Sequence, residues 1–476
     1  MKPTVLSNSL QRLISGNVKT LLIVISPLMF WFILVSWYAW SIDASFISRD
    51  QWRFLDMVDN YLSGTLDWQD IWSSHSEHVK PGYKLLFLFN AKYLGLNLLV
   101  EIFAGLALLA ATVVLVLREM ATSFNGARSI FVSFTLLTTG VILMSFNQWA
   151  NYVYSLLALG GFGEMLLQIA FLCGFSRALT SGVTRAGLLW LVVILLLCVW
   201  GFSGARSPAL IGACVIVTLL AIFLDPGIRS RIWRHALPLI MVGIFAIGIY
   251  LVLLDSNRSN GGGLVYRVLD VLDNPLGAIA YIYGMLANSM LNIDAVAWHH
   301  AILENILAVL GSAVLIWALW RYFAARHWRV TWVPLLLILY SGIFVLEVLI
   351  GRFGSDHSAL HGTIVPRYVF DSHLWMVGVA WIIGLDWVAG PARFWRRVPL
   401  VSIMTLLLAI EIANLNYTVK LAHYQVRSNA KVTGLLKEIV AGRQTTDVLP
   451  RWECPNAKLC AHGMEILKKY HLNVAR

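Results

Sequence analysis

The residues best equipped for chemistry lie between Arg49 and Tyr93, in RDQWRFLDMVDNYLSGTLDWQDIWSSHSEHVKPGYKLLFLFNAKY. Asp50 stands just beyond the first apolar run. A carboxylate held there, partly shielded from water, is suited to act as a general base with a raised pKa. The bland alternative is a helix-flanking acid paired with Arg49 or Arg53. Further on, His75, Glu77 and His78 form H-x-E-H. In a helix positions 75 and 78 share a face, so two imidazoles can meet one metal or one phosphate. The motif is one residue short of the H-x-x-E-H zinc signature. We therefore assign these residues to substrate contact rather than to a metal, against the plainer reading of a polar loop capping a helix that starts at Pro81.

Cations complete the inventory. Lys80, Lys84, Arg206, Arg352 and Arg367 stand at or near the same ends of apolar spans as Asp50, and Tyr368 follows Arg367 directly. Guanidinium groups bind phosphate through two parallel hydrogen bonds. Arg206 lies in FSGARSP, a turn between two short apolar runs, where a charge at membrane depth is costly without a partner. Ordinary snorkelling to the interface is the alternative for it. Glu164, Glu304, Glu347 and Glu411 lie in or near spans with no common register, and are read as paired or interfacial acids rather than a proton path.

The elements that must position these groups are membrane helices. With 59% hydrophobic residues, only 13% charged and a mean hydropathy of +0.73, the 476-residue chain has too few charges to solvate a soluble globule of its size. The net charge of +11 sits largely in short clusters between apolar spans. That pattern is a topology signal, and no nucleic-acid-binding motif accompanies it. The expected architecture is an all-α polytopic integral membrane protein of eleven spans, near 21-42, 98-118, 129-147, 155-176, 187-202, 208-224, 237-254, 301-320, 332-350, 373-389 and 399-415. The first run is too long for a signal-peptide core and lacks a cleavage site, so it is read as a retained helix. The fifth and sixth runs are short for a crossing and suggest a hairpin that stops inside the bilayer.

Arg229, Arg231 and Arg234, then Arg321, Arg326 and Arg329, then Arg393, Arg396 and Arg397 mark one side as cytoplasmic, the N-terminus with it. The 43-97 loop, with its seven acids, then faces the periplasm, as do the loops 255-300 and 351-372. An odd span count puts the tail, 416-476, on that side too. Within 255-300, LVYRVLDVLDNPLGAIAYIYGMLANSML reads as a surface-lying or re-entrant helix. Cys454 and Cys460 in the tail are free to form a disulfide in an oxidising compartment, a matter for their geometry. The expected organisation is a transmembrane domain over 1-415 followed by the tail.

The order of features in the first loop resembles the GT-C superfamily of membrane glycosyltransferases, in particular its protein O-mannosyltransferase and aminoarabinose transferase branches. These features are Asp50, the aromatic amphipathic helix from Trp52 to Tyr61, Gly64, Trp68, His75 and Lys80-Pro81. The turn around Phe202-Pro208 is similar to those branches as well. Within the superfamily the chain looks most like bacterial enzymes that decorate O-antigen or other surface polysaccharides. It departs from the pattern at Gln51, where several branches carry Glu after the Asp, leaving Asp43, Asp56 or Glu77 to stand in.

The resemblance implies a sugar donor on a polyprenyl phosphate in the bacterial inner membrane, a periplasmic glycan acceptor, and inversion at the anomeric carbon. Asp50 would deprotonate the acceptor, and Lys80, Arg206, Arg352 or Arg367 would stabilise the leaving lipid phosphate. No cofactor or metal is required, since the lipid phosphate leaves as a stable anion. Two rivals stay open. An O-antigen polymerase or ligase would rely on Arg352 and Arg367 instead of Asp50. A transporter or flippase of lipid-linked sugars would show charges along a mid-membrane path and inverted repeats.

Overall fold

The computed structural model describes residues 18–43, 45–73, 80–125, 127, 129–256, 264–292, 301–353, 366–390, 394–451, 453–454 and 456–475. His75, Glu77 and His78, expected to contact substrate, fall outside these residues, as does the side chain of Arg367. Among the described residues there is no strand. Within those same described residues, eleven helices are long and apolar enough to cross a membrane: Ile23–Ile42, Leu98–Ser123, Ile130–Val153, Leu156–Thr180, Arg185–Phe202, Gly204–Leu224, Pro226–Val252, Ile302–Ala324, Val333–Arg352, Tyr368–Ala389 and Arg397–Val440. The chain is thus an all-α, multi-pass membrane protein. The fifth and sixth spans correct one expectation. At 18 and 21 residues, both reach crossing length, because a π-helical stretch at Cys198–Ser203 and a short turn at Gly204–Arg206 carry the helices on to meet each other.

The tenth span is the hub. Its apolar window is 94% buried, and it packs against the third, eighth and ninth spans. A helix apolar around its whole circumference belongs inside a bundle, and Leu374, Met376, Val379, Ala380 and Ile383 are all buried. The second and fourth spans approach closely at Gly105, where a Cβ would stand 2.4 Å from the Ala158 carbonyl carbon. The helix Pro275–Met290 packs against the eighth, ninth and tenth spans, with Ala278, Met285, Ala287 and Met290 buried, so it is part of the bundle wall.

The eleventh span belongs to a single helix of 47 residues, Phe394–Val440. At a rise of about 1.5 Å per residue it is about 70 Å long, well over the roughly 30 Å of a hydrocarbon core. Its far part is tied to the end of the first span, where the Tyr38 hydroxyl donates to Gln425 Oε1 (2.5 Å) and Asn429 Nδ2 to the Ile42 carbonyl (3.0 Å).

The odd parity that places the 43-97 loop and the tail at one end of the bundle is met by direct contact. Trp52, Leu55, Val58, Tyr83 and Phe87 share a second apolar core with Leu436, Ile439, Met464 and Leu467. Lys469 and Tyr470 both donate to Asp59 Oδ1, at 2.7 and 2.8 Å, holding that carboxyl below the usual range. Cys454 and Cys460 are joined as a disulfide. This is the loop end of the bundle.

Candidate active site

The Asp50 segment begins with an unusual backbone. Arg49 has φ 51°, a left-handed conformation that costs a non-glycine residue of order 1 kcal/mol or more. Its N–H donates to the Glu453 carbonyl (2.8 Å), which also accepts from the Trp52 indole (3.1 Å). Ser48 and Gln51 cap the helical turn reciprocally. Asp50, second in this Arg49–Phe54 turn, is partly exposed. The Arg49 guanidinium lies over the Tyr154 ring, 4.4 Å from its centroid, and donates to its hydroxyl (3.0 Å).

Gln51, where a second acid was expected, points inward. Its Nε2 donates to Ser155 Oγ (2.6 Å) and to the Tyr83 hydroxyl (3.2 Å). Tyr83 in turn donates to Glu101 Oε2 (3.1 Å), and Asn90 Nδ2 to Glu101 Oε1 (2.7 Å). The buried amide therefore anchors the loop to the second and fourth spans. Of the residues expected to stand in, Asp43 is exposed and accepts from Ser45 (2.7 Å), and the exposed Asp56 faces His462 at 3.1 Å.

The helix Pro81–Leu94 seats the loop against the fifth span and the start of the fourth. A Cβ on Gly82 would fall 2.2 Å from the Gly201 carbonyl oxygen, so only glycine permits this crossing, and Trp72 meets Trp200 edge-on at 5.6 Å. Lys84 serves this packing. Its ammonium donates to the Asp70 carbonyl (2.7 Å) and to the Ser73 carbonyl and hydroxyl (both 2.8 Å), and burial pulls its pKa down to about 8. It stays with the scaffold. Lys80, at the N-terminal end of the same helix, lies within electrostatic reach of Glu164.

Arg206 sits on that seat and is paired twice. Its Nη1 donates to Glu164 Oε2 (3.0 Å) and its Nη2 lies 3.1 Å from Asp371 Oδ2. Both carboxylates are about 1% exposed, whereas the arginine side chain keeps 16%. The Tyr340 hydroxyl donates to Asp371 Oδ1 (2.6 Å) and lies 2.9 Å from Gln168 Oε1, while Gln168 Nε2 donates to Glu164 Oε1 (3.2 Å). One N–H of Arg206 is thus hydrogen-bonded to Glu164, while Asp371 Oδ2 meets the guanidinium as an ion pair without a hydrogen bond. Tyr368 is within electrostatic reach of Arg206 and accepts from Arg352 Nη2 (3.1 Å). Arg267 Nη1 donates to the Gly351 carbonyl (3.1 Å).

The structure therefore brings Lys80, Arg206, Arg352 and Tyr368 to one end of the fourth, sixth, ninth and tenth spans. Asp50 shares that end through Tyr154 and Ser155 just before the fourth span. Glu164 lies nine residues along from Ser155, about 13 Å at helical rise. Sequence reasoning noted Glu164 only as a paired acid and passed over Asp371 and Tyr340. The available signal was a carboxylate within an apolar run, which implies a partner without naming it. It also missed Glu453, from the tail. That carboxyl is buried, and burial pushes its pKa up to about 7 against the pull of Arg49. At the opposite end, Arg321 pairs with Asp386 and Arg177 with Glu119.

No protein-family model matches the chain, and no curated protein does. Among solved structures it is similar to the crystal structure of ArnT from Cupriavidus metallidurans bound to undecaprenyl phosphate, with 13% sequence identity over 96% of this chain and 89% of that one and a TM-score of 0.49.

Proposed function

We propose that this protein is a membrane glycosyltransferase of the GT-C type. It moves a sugar from a polyprenyl-phosphate carrier in the bilayer to a periplasmic glycan such as O-antigen, with inversion. Asp50 acts as the general base on the acceptor hydroxyl. The observation that carries the reading is the gathering of a partly exposed acid, on a backbone-strained turn, with basic groups at the same end of the bundle. An acid and cations so disposed suit a hydroxyl nucleophile meeting an anionic leaving group at the level of lipid headgroups.

In this scheme Lys80, Arg352 and the exposed remainder of Arg206 receive the lipid phosphate, with Tyr368 beside Arg352. His75, Glu77, His78 and Arg367 keep their assignment to substrate contact. The Glu164 and Asp371 carboxylates hold Arg206 in place, so its charge is presented from a fixed position and little reorganisation accompanies departure of the phosphate. The bundle is taken to lie in the inner membrane with its loop end periplasmic.

The test is Asp50→Asn beside wild type in a host lacking the gene, at equal membrane levels, with the surface polysaccharide analysed by mass. A sugar-sized increment present with wild type and absent with Asp50→Asn is the expected result. Transfer that survives Asp50→Asn but is lost in Arg352→Ala would put the arginine chemistry of a polymerase or ligase in its place.

A further inference from the structure

The tail residue Glu453 lies more than four hundred positions from Asp50, yet it touches the turn that carries it. Its carbonyl accepts both the Arg49 N–H and the Trp52 indole N–H. Its two carboxyl oxygens are buried and make no hydrogen bond, and the Arg49 Nε is buried and likewise without a hydrogen-bond acceptor. The residue as a whole is 2% exposed. Buried carboxyls are ordinarily hydrogen-bonded or paired, so an orphaned one within electrostatic reach of the Arg49 guanidinium, beside a strained turn, is exceptional. Arg49 and Tyr154 are the charged or titratable groups that Glu453 feels, the first from the Asp50 turn and the second from the break between the third and fourth spans.

We propose that Glu453 is the second acid of the Asp50 site, a positioning residue whose carbonyl holds the Arg49 backbone and whose carboxylate sets the Arg49 guanidinium. This rests on the function proposed above. Arg49 can lean toward Tyr154 or toward Glu453, and its choice moves the residue that follows it. When Glu453 is ionised, the guanidinium is held between carboxylate and tyrosine, and Asp50 is fixed where the strained turn puts it. When Glu453 is protonated, Arg49 keeps only Tyr154. The Cys454–Cys460 disulfide closes the tail immediately after Glu453, and Gly463 lets the tail helix lie on Trp52, where a Cβ would come within 2.8 Å of the indole. The tail thereby supplies the acid that the position of Gln51 lacks.

The carboxylate titrates near neutrality, so the proposal has a pH signature. From about pH 8 to about pH 6 its ionised fraction falls by roughly tenfold. Stability and activity should move in opposite directions. A folded-state pKa above the unfolded value means that stability is full below the ordinary value of 4.5, declines as pH rises from there to about 7, and is level above it. Glu453→Gln keeps the carbonyl and removes the titration.

The experiment uses full-length protein in cells with the endogenous donor, pulsed in medium at about pH 6 and about pH 8, since a periplasmic site follows the medium. The rate of surface-glycan modification is read by mass. Thermal unfolding of the purified protein is followed at the same two values. Wild type should transfer roughly tenfold faster at the higher pH, while Glu453→Gln stays near the slow rate at both. Glu453→Gln should nonetheless melt higher than wild type at both values, since the unfolded carboxyl is already ionised at the lower one, and by more at the higher. A variant that tracks the wild-type rate at both values, with Asp50→Asn inactive, overturns the proposal and leaves the function reading standing. So does a variant that loses transfer while melting lower at both values, because that is simple misfolding. If Asp50→Asn transfers as wild type does, the function reading falls and this inference falls with it.

Discussion

Removing the charge of Arg206 should destabilise the bundle. Its two contacts, at 3.0 and 3.1 Å, join carboxylates that are almost wholly removed from solvent. Arg206→Met keeps most of the volume and removes the charge, stranding Glu164 and Asp371 in the bundle without a cation. Breaking a buried ion pair from one side costs about 3–5 kcal/mol, most of it the desolvation of the group left behind. Replacing all the charged members by neutral ones of similar shape is often close to neutral. The triple variant Arg206→Met, Glu164→Gln, Asp371→Asn should therefore recover to within about 1–2 kcal/mol of wild type. Tyr340 and Gln168 can still hydrogen-bond the new amides. The assay is denaturation by SDS in mixed micelles, followed by loss of helical signal, for wild type, single and triple variants. An Arg206→Met protein within about 0.5 kcal/mol of wild type, the scale of an ordinary surface change, would refute the argument. So would a triple variant no more stable than the single one. On the proposed function, the triple variant should remain deficient in transfer, because it lacks the Arg206 charge proposed to receive the lipid phosphate.

Two further outcomes follow from the way the loop is seated. Gly82→Ala places a methyl 2.2 Å from the Gly201 carbonyl oxygen, a backbone atom that cannot step aside. It should cost about 1–3 kcal/mol and reduce transfer, whereas Gly161→Ala, with open space at its Cβ, should be near neutral in the same two assays. Lys84 has its pKa lowered to about 8, so the unfolded chain binds its proton more tightly. Stability should rise with pH from about 8 toward the ordinary lysine value of 10.5. Lys84→Met should remove that rise, as read by thermal unfolding across the alkaline range. A slope unchanged by the substitution would mean that burial is not what lowers this pKa.

The spans were legible because each is a local property. About twenty apolar residues suffice to cross a bilayer, and Leu98–Ser123 or Val333–Arg352 declares itself without reference to the rest of the chain. Gly64 ending the amphipathic helix, at φ 82°, and Pro81 opening the next are local as well. The alternation of eleven spans was enough to set loop and tail at one end. The pairing of Arg206 was legible only halfway: a charge among apolar neighbours demands a partner, and nothing in the chain says that Asp371, 165 positions later, will supply it. The same holds for Lys84, whose cationic type suggested a ligand contact and whose three hydrogen bonds make it a fastener. Gln51 looked like a missing acid and proved to be an anchor between Tyr83 and Ser155. Asp50 and Glu453 are the sharpest case. Local sequence determines that Asp50 follows a membrane helix, whereas its neighbourhood depends on a carbonyl from the tail, brought there by apolar contact between Trp52, Leu55 and the helix Ala457–Lys469. Hydrophobic length and charge placement act along the chain and can be read from it. Burial of a polar group is settled by which surfaces meet, and that is decided only when the bundle packs.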